Sequence, residues 1–165
     1  MEIICLYGNP DSGKTEVLNM LAKKILKQNK GCKIFYARHL YETNYSDSSP
    51  GEIERFIDSN PNSDWNLILE WNTKKIGFTM KGDNSAEIKK GLLFIDSMQG
   101  VDIFLIPARR KGSLVYKAVE QHTKGKQDID FTPIKQRKIR DNMKKEDITI
   151  KNRKQVDELF ERIKS

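Results

Sequence analysis

Cysteine, proline and aromatic residues are all scarce in this chain, and no apolar run is long. Two cysteines among 165 residues, Cys5 and Cys32, are too few for a disulfide framework and lack the spacing of a metal site. Both read as buried or half-buried thiols in a reducing compartment. No apolar stretch approaches the roughly 20 residues that span a bilayer, and the N-terminus lacks a basic region followed by an apolar core and a small-residue cleavage site. The expectation is a cytoplasmic protein that does not cross a membrane. The two histidines, His39 and His122, stand far apart in sequence, and neither is assigned a role. With no internal repeat and no low-complexity tract, a composition 37% hydrophobic and 32% charged suits one α/β domain over 1–165.

What the chain does have is concentrated at its start. Ile3-Ile4-Cys5-Leu6-Tyr7 is an apolar run of strand length. Gly8-Asn9-Pro10-Asp11-Ser12-Gly13-Lys14-Thr15 follows, and then Val17, Leu18, Leu21, Ile25 and Leu26 recur at helical spacing until Asn29-Lys30-Gly31 supplies a stop. Strand, loop and helix in that order form a phosphate cradle. Gly8 and Gly13 let the backbone wind around the β- and γ-phosphates, while the loop N–H groups and the helix N-terminus supply positive potential. Lys14 offers an ammonium and Thr15 a Mg²⁺-ligating hydroxyl.

The loop resembles the Walker A motif of the P-loop nucleoside triphosphatases at every fixed position. That resemblance implies a three-layer fold with a mostly parallel central sheet flanked by helices. It also implies that Gly8, Asn9, Pro10, Asp11, Ser12, Gly13, Lys14 and Thr15 bind ATP, or another nucleoside triphosphate, with Mg²⁺. The lettering is similar to the first motif of translation-factor-like GTPases as well. Their guanine-selecting Asn-Lys-x-Asp and their Asp-x-x-Gly switch occur nowhere in this sequence, so a GTPase switch is not expected.

Further along, Lys33–Ala37 reads as a second strand, parallel to the first through a right-handed helical crossover. Residues 38–65 are rich in turn formers around a short helix, Glu52 to Asp58, and read as a surface insertion. Residues 66–71 and 75–80 flank Asn72-Thr73-Lys74 as a hairpin, one strand joining the parallel sheet and the other its edge. Asn84 and Glu87 stand as a capping box before a helix over about 85–98. Val101–Pro107 is a strongly apolar strand expected near the sheet centre, and Ser113 caps a helix. A polar stretch over 121–151 holds one strand at Ile129–Ile134, and a last helix covers 153–164.

A triphosphate site needs a carboxylate on its metal side, and two residues compete for that role. Asp96 ends an apolar run, Leu92 to Ile95, but the run has helical periodicity, which makes Asp96 a surface residue. Asp83, after strand 75–80, falls where open α/β sheets bind ligands and is preferred as the metal-side or water-orienting group. Arg109 and Arg110 follow strand 101–107 and can offset charge on a transferring phosphoryl group, so Lys14, Asp83, Arg109 and Arg110 form the catalytic set. The segment 75–112 looks like that of small uncharacterised bacterial P-loop NTPases.

The formal charge of +7 is uneven: residues 124–154 hold eleven basic and five acidic side chains. That segment can meet an anionic partner, nucleic acid or protein, and Lys135, Arg137, Lys138 and Arg140 can close as a basic lid. It carries one aromatic, Phe131, so a base-stacking platform is missing. Trp65 and Trp71 read as packing groups. The expectation is a Mg²⁺-dependent hydrolase of ATP or another nucleoside triphosphate, with a small-molecule or nucleotide kinase second and a nucleotide-gated binding module third.

Overall fold

The computed structural model describes residues 1–10, 12–28, 32–39, 48–62, 64–80, 84–98, 100–124, 126, 128–136 and 143–165. In chain order the elements are β1 (Glu2–Tyr7), α1 (Lys14–Lys27), β2 (Lys33–His39), α2 (Pro50–Ser59), β3 (Trp65–Trp71) and β4 (Lys74–Thr79). They continue with α3 (Ser85–Ser97), β5 (Ile103–Ala108), α4 (Leu114–Thr123), β6 (Asp130–Lys135) and α5 (Lys145–Lys164). The strands form one six-stranded sheet in the order β2-β3-β4-β5-β1-β6. β4, β5, β1 and β6 pair in parallel, whereas β3 is antiparallel to both β2 and β4.

The two inner parallel strands are buried on both faces, which is why their sequences are continuously apolar instead of alternating. Ile4, Leu6, Ile103 and Leu105 face one layer, built from α1, α2 and α5. Ile3, Cys5, Phe104 and Ile106 face the other, built from α3 and α4. Burial pushes the Cys5 thiol up to about 12 and that of half-buried Cys32 up to about 11, so both stay protonated near neutral pH and pack as small apolar groups.

β2 runs parallel to β1, as expected; β3, β4 and β5 lie between them, and β2 pairs with β3 at the far edge. Three expectations need correction. With β2 at the edge, β3 is an interior strand, and only β4 of the hairpin enters the parallel set. Nor do the described residues of 38–65 lie wholly at the surface. Helix α2 starts at Pro50 behind a Ser49/Glu52 capping box and buries Ile53 and Ile57 against the α1 layer, and Trp65 is core. Finally, α5 begins eight residues before 153. Its first turns, Lys145 to Asn152, hold one apolar side chain in each half, too few to show a helical stripe.

The hairpin turn is two residues, Asn72 and Thr73, with φ of 50° and 66°, a geometry whose twist matches that of the strands it joins. Asn84 caps α3 by accepting from the N–H groups of Ala86 and Glu87, as the sequence indicates, whereas the box with both halves is the one at α2. No described helix is long and apolar enough to cross a membrane.

Gly77 of β4 sits opposite Phe104 of β5, and a Cβ at that position would overlap the Phe104 ring. Gly77→Ala is therefore expected to lower unfolding free energy by about 1–3 kcal/mol, the usual cost of overpacking a dense core. Urea unfolding measures this, and an unchanged midpoint would mean that the ring does not fill that space.

Candidate functional site

The connections after β1 and β5 leave on opposite faces of the sheet. From β1 the chain passes through α1 towards the β2 edge, and from β5 it passes through α4 towards β6. The adjacent carboxyl ends of these strands therefore open a crevice of the kind in which open α/β sheets bind ligands. The loop 8–13 and the loop 109–113 lie on its two sides.

The glycine-rich loop is anchored at both ends. Gly8 N–H donates to the Ala108 carbonyl at 3.2 Å, and the N–H of Gln136, just past β6, donates to Tyr7 at 2.7 Å. Gly13 caps α1 in the left-handed region, φ 81°, where a side chain would be strained. Being glycine, it offers α1 no side-chain cap, whereas Ser49, Asn84 and Ser113 cap α2, α3 and α4. The first-turn N–H groups of α1 thus point into the loop without a side-chain acceptor at the cap.

Inside the loop lies the ammonium of Lys14, a residue that is 7% exposed. It donates to the Asn9 carbonyl at 2.8 Å and to Ser12 Oγ at 3.3 Å, with the Gly8 carbonyl at 3.5 Å. Ser12 and Gly8 are buried, Asn9 and Pro10 are exposed, and Thr15 is half-buried. Asp11 lies outside the described residues, as do Asp83, Arg137, Lys138 and Arg140.

Two cavities open beside the loop. The larger, about 630 Å³, runs from Ser12, Lys14 and Thr15 along α1 to α2 and the connection before β3. Thr15, Asn19 and Lys23 form its α1 wall, Asp58, Asn62 and Asp64 the facing wall, and Met80 and Pro107 its floor. The smaller, about 340 Å³, lies on the α4 side between Tyr7, Gly8, Asn9 and the cations Arg110, Lys111 and Lys135. Arg110 is thereby brought beside the loop, while half-buried Arg109 lines neither cavity.

Asp96 is excluded from the site. Helix α3 carries it back to the amino edge of the sheet, where it pairs with His122 at 3.0 Å and Lys126 at 3.2 Å. The basic segment is likewise divided. Lys124 and Lys126 lie at the amino edge after α4, whereas Lys135, Lys144 and Lys145 lie at the carboxyl edge around the end of β6 and the start of α5. The described cations of 124–154 do not form one face.

Several polar residues of the site escape a motif search. Asn19 is buried, donates to the Pro61 carbonyl at 2.8 Å and accepts from Trp65 Nε1 at 3.0 Å, so it fixes the facing wall on α1. Lys23 pairs with Asp58 at 2.6 Å and closes the far end. On the other side, Gln136 Nε2 donates to Asn152 Oδ1 at 3.3 Å, and Asn152 Nδ2 donates to Glu16 at 2.9 Å, tying α1 to α5. One signal was available: Thr15, Asn19 and Lys23 stand at i, i+4 and i+8, a polar line along one side of the helix. The facing residues carry no such spacing.

Comparison of this chain with protein-family models, with curated proteins and with solved structures gives no match. The site is read on its own chemistry.

Asn19→Leu keeps the volume and removes both hydrogen bonds, leaving the Trp65 indole N–H and the Pro61 carbonyl without them. A loss of about 1–3 kcal/mol is expected, the cost of stranding buried polar groups. Chemical unfolding with tryptophan emission as the probe reads it, and stability within 0.5 kcal/mol of the parent (about the noise of a surface change) would refute the bracing role.

Proposed function

We propose that this chain binds a nucleoside triphosphate with Mg²⁺ in the loop 8–15 and transfers its γ-phosphoryl group. The observation that carries the proposal is the Lys14 ammonium, buried inside a glycine-rich loop at the open N-terminus of α1, at the carboxyl edge of a mostly parallel sheet. A buried cation beside uncapped N–H groups favours a polyanion. ATP is the working substrate.

The donor set fits the metal as well as the phosphates. Thr15, half-buried where α1 meets the larger cavity, supplies a hydroxyl, and Asp83 is retained on sequence grounds as the metal-side carboxylate. Bound there, Mg²⁺ would neutralise phosphate charge. The residues of the chain do the rest: the loop N–H groups orient the phosphates, Lys14 spans β and γ, and Arg110 approaches from the smaller cavity to offset charge in the transition state. Arg109 keeps the same assignment from sequence.

Water and a small molecule compete as the acceptor. The composition alone favours hydrolysis, since no acceptor motif is present. The larger cavity favours phosphotransfer, because an attacking water needs only about 30 Å³ and the space beside Thr15 is about 630 Å³.

Lys14→Ala is expected to weaken ATP binding about 10- to 100-fold, the equivalent of losing a charge-assisted hydrogen bond, and to abolish turnover. Calorimetry with ATP and a phosphate-release assay with and without EDTA measure both. Unchanged ATP affinity in Lys14→Ala, or no ATP binding by the parent protein, ends the proposal.

A further inference from the structure

We propose that the smaller cavity is a binding site for a separate molecule, a phosphate ester of a hydroxyl-bearing carbon skeleton of sugar size. It holds whether or not the loop binds a nucleotide. Three observations carry it.

First, a buried acceptor is left over at the cavity. Gln136, 2% exposed, lines it and is held in place by its own N–H, which donates to the Tyr7 carbonyl at 2.7 Å. The orientation of its side-chain amide follows from a chain of bonds that starts at a carboxylate. Glu16 accepts, so Asn152 turns Nδ2 to it at 2.9 Å and Oδ1 to Gln136, and Gln136 answers with Nε2 at 3.3 Å. Oε1 is the end that remains, and among the described residues it has no partner. A buried carbonyl in that state costs stability until a donor meets it.

Second, the described residues that line the cavity include cations and no carboxylate. Arg110 and Lys111 come from the loop after β5 and Lys135 from the end of β6, and none of the three pairs with a carboxylate among the described residues. All three are exposed, so each alone contributes little. Converging from two segments, they suit a phosphate monoester, whose dianion presents three oxygens, better than a carboxylate with its single charge.

Third, the cavity has room for more than an ion and lies apart from Lys14 and Thr15. Its volume of about 340 Å³ falls at the lower end of the range for small-molecule sites, about 300–1,000 Å³. Half-buried Tyr7, packed edge-on against Tyr116 at 5.2 Å, gives a sugar's carbons an apolar wall. Gly8 and Asn9 border this cavity, Lys14 and Thr15 border the larger one, and Ser12 lines both. A nucleotide held by Lys14 and Thr15 would therefore face the larger cavity and leave the smaller one to a second molecule. The phosphate of that molecule stands among Arg110, Lys111 and Lys135, and one of its hydroxyls donates to Gln136 Oε1.

The test is calorimetry on the full chain at mildly alkaline pH, where a phosphate monoester is a dianion. Ribose 5-phosphate and glucose 6-phosphate are the probes, with methyl phosphate, ribose and glucose as controls. At least one sugar phosphate is expected to bind with a dissociation constant of about 1 mM or lower, about tenfold or more tighter than methyl phosphate and the free sugars. Lys111→Glu and Lys135→Glu, both at exposed positions, should each weaken that binding about tenfold. Gln136→Met, with circular dichroism to check its fold, should bring sugar phosphate and methyl phosphate to within about threefold of each other. An excess of a non-hydrolysable ATP analogue with Mg²⁺ should leave the sugar phosphate bound. No binding of either sugar phosphate, or binding unmoved by both lysine variants, overturns the assignment. Methyl phosphate binding as tightly as the sugar phosphates also overturns it, because the cavity is then a patch for ions only. Displacement by the analogue does the same, since it places the nucleotide's own sugar and phosphates in the smaller cavity.

Discussion

β1 and β5 lie side by side with both faces buried, and the chain leaves their carboxyl ends in opposite directions on opposite faces of the sheet. Everything else at the site depends on that arrangement. Because each strand end must be followed by a turn into a different layer, neither connection can cover the gap between them, and the backbone there stays open to a ligand. The glycine-rich loop fills one lip of the gap, and Arg110 and Lys111 stand on the other. Apolar burial of the two strands fixes their register, from Glu2 opposite Ile103 to Tyr7 opposite Ala108, and the loop inherits its position from that register.

The ammonium of Lys14 is the costly part of the design. Removing such a group from water costs several kcal/mol unless partners compensate. The Gly8 and Asn9 carbonyls and the Ser12 hydroxyl are among its partners, and they hold the side chain folded within the loop. Around it the packing is firm: Gly8 and Gln136 approach so closely that a Cβ on Gly8 would stand 3.1 Å from that of Gln136. The Gln136, Asn152 and Glu16 chain then carries α5 as a brace for the first turn of α1.

Local pattern made the first 28 residues legible, because a strand-length apolar run, a loop of fixed lettering and an apolar stripe at helical spacing are all contiguous. The same reasoning identified α3, α4, β5 and β6, and kept Asp96 on a helix surface. It failed where partners are distant. Nothing in Lys33–His39 says that its neighbour is β3 and not β1, since pairing is decided by which edge remains after the hairpin has formed. Helix α2 shows few apolar residues in its sequence, yet Ile53 and Ile57 are buried deeply enough to belong to the core. The start of α5 was hidden by its charge. Half of the larger cavity was visible as the line Thr15, Asn19, Lys23, and the other half, from Asp58 to Asp64, was not, because it reaches α1 across more than forty residues of sequence.

That second half exists because one strand runs backwards. In a wholly parallel sheet each strand starts at the amino edge, and the connection before it is carried away from the ligand side. β3 is antiparallel to its neighbours, so it starts at the carboxyl edge, and the chain from α2 into it passes directly in front of α1. Pro61, Asn62 and Asp64 stand there for this reason, and Trp65, the first residue of β3, reaches back to bond Asn19. The antiparallel strand therefore does more than widen the sheet. It makes the glycine-rich loop one bank of a cavity whose other bank is the connection from α2 into β3.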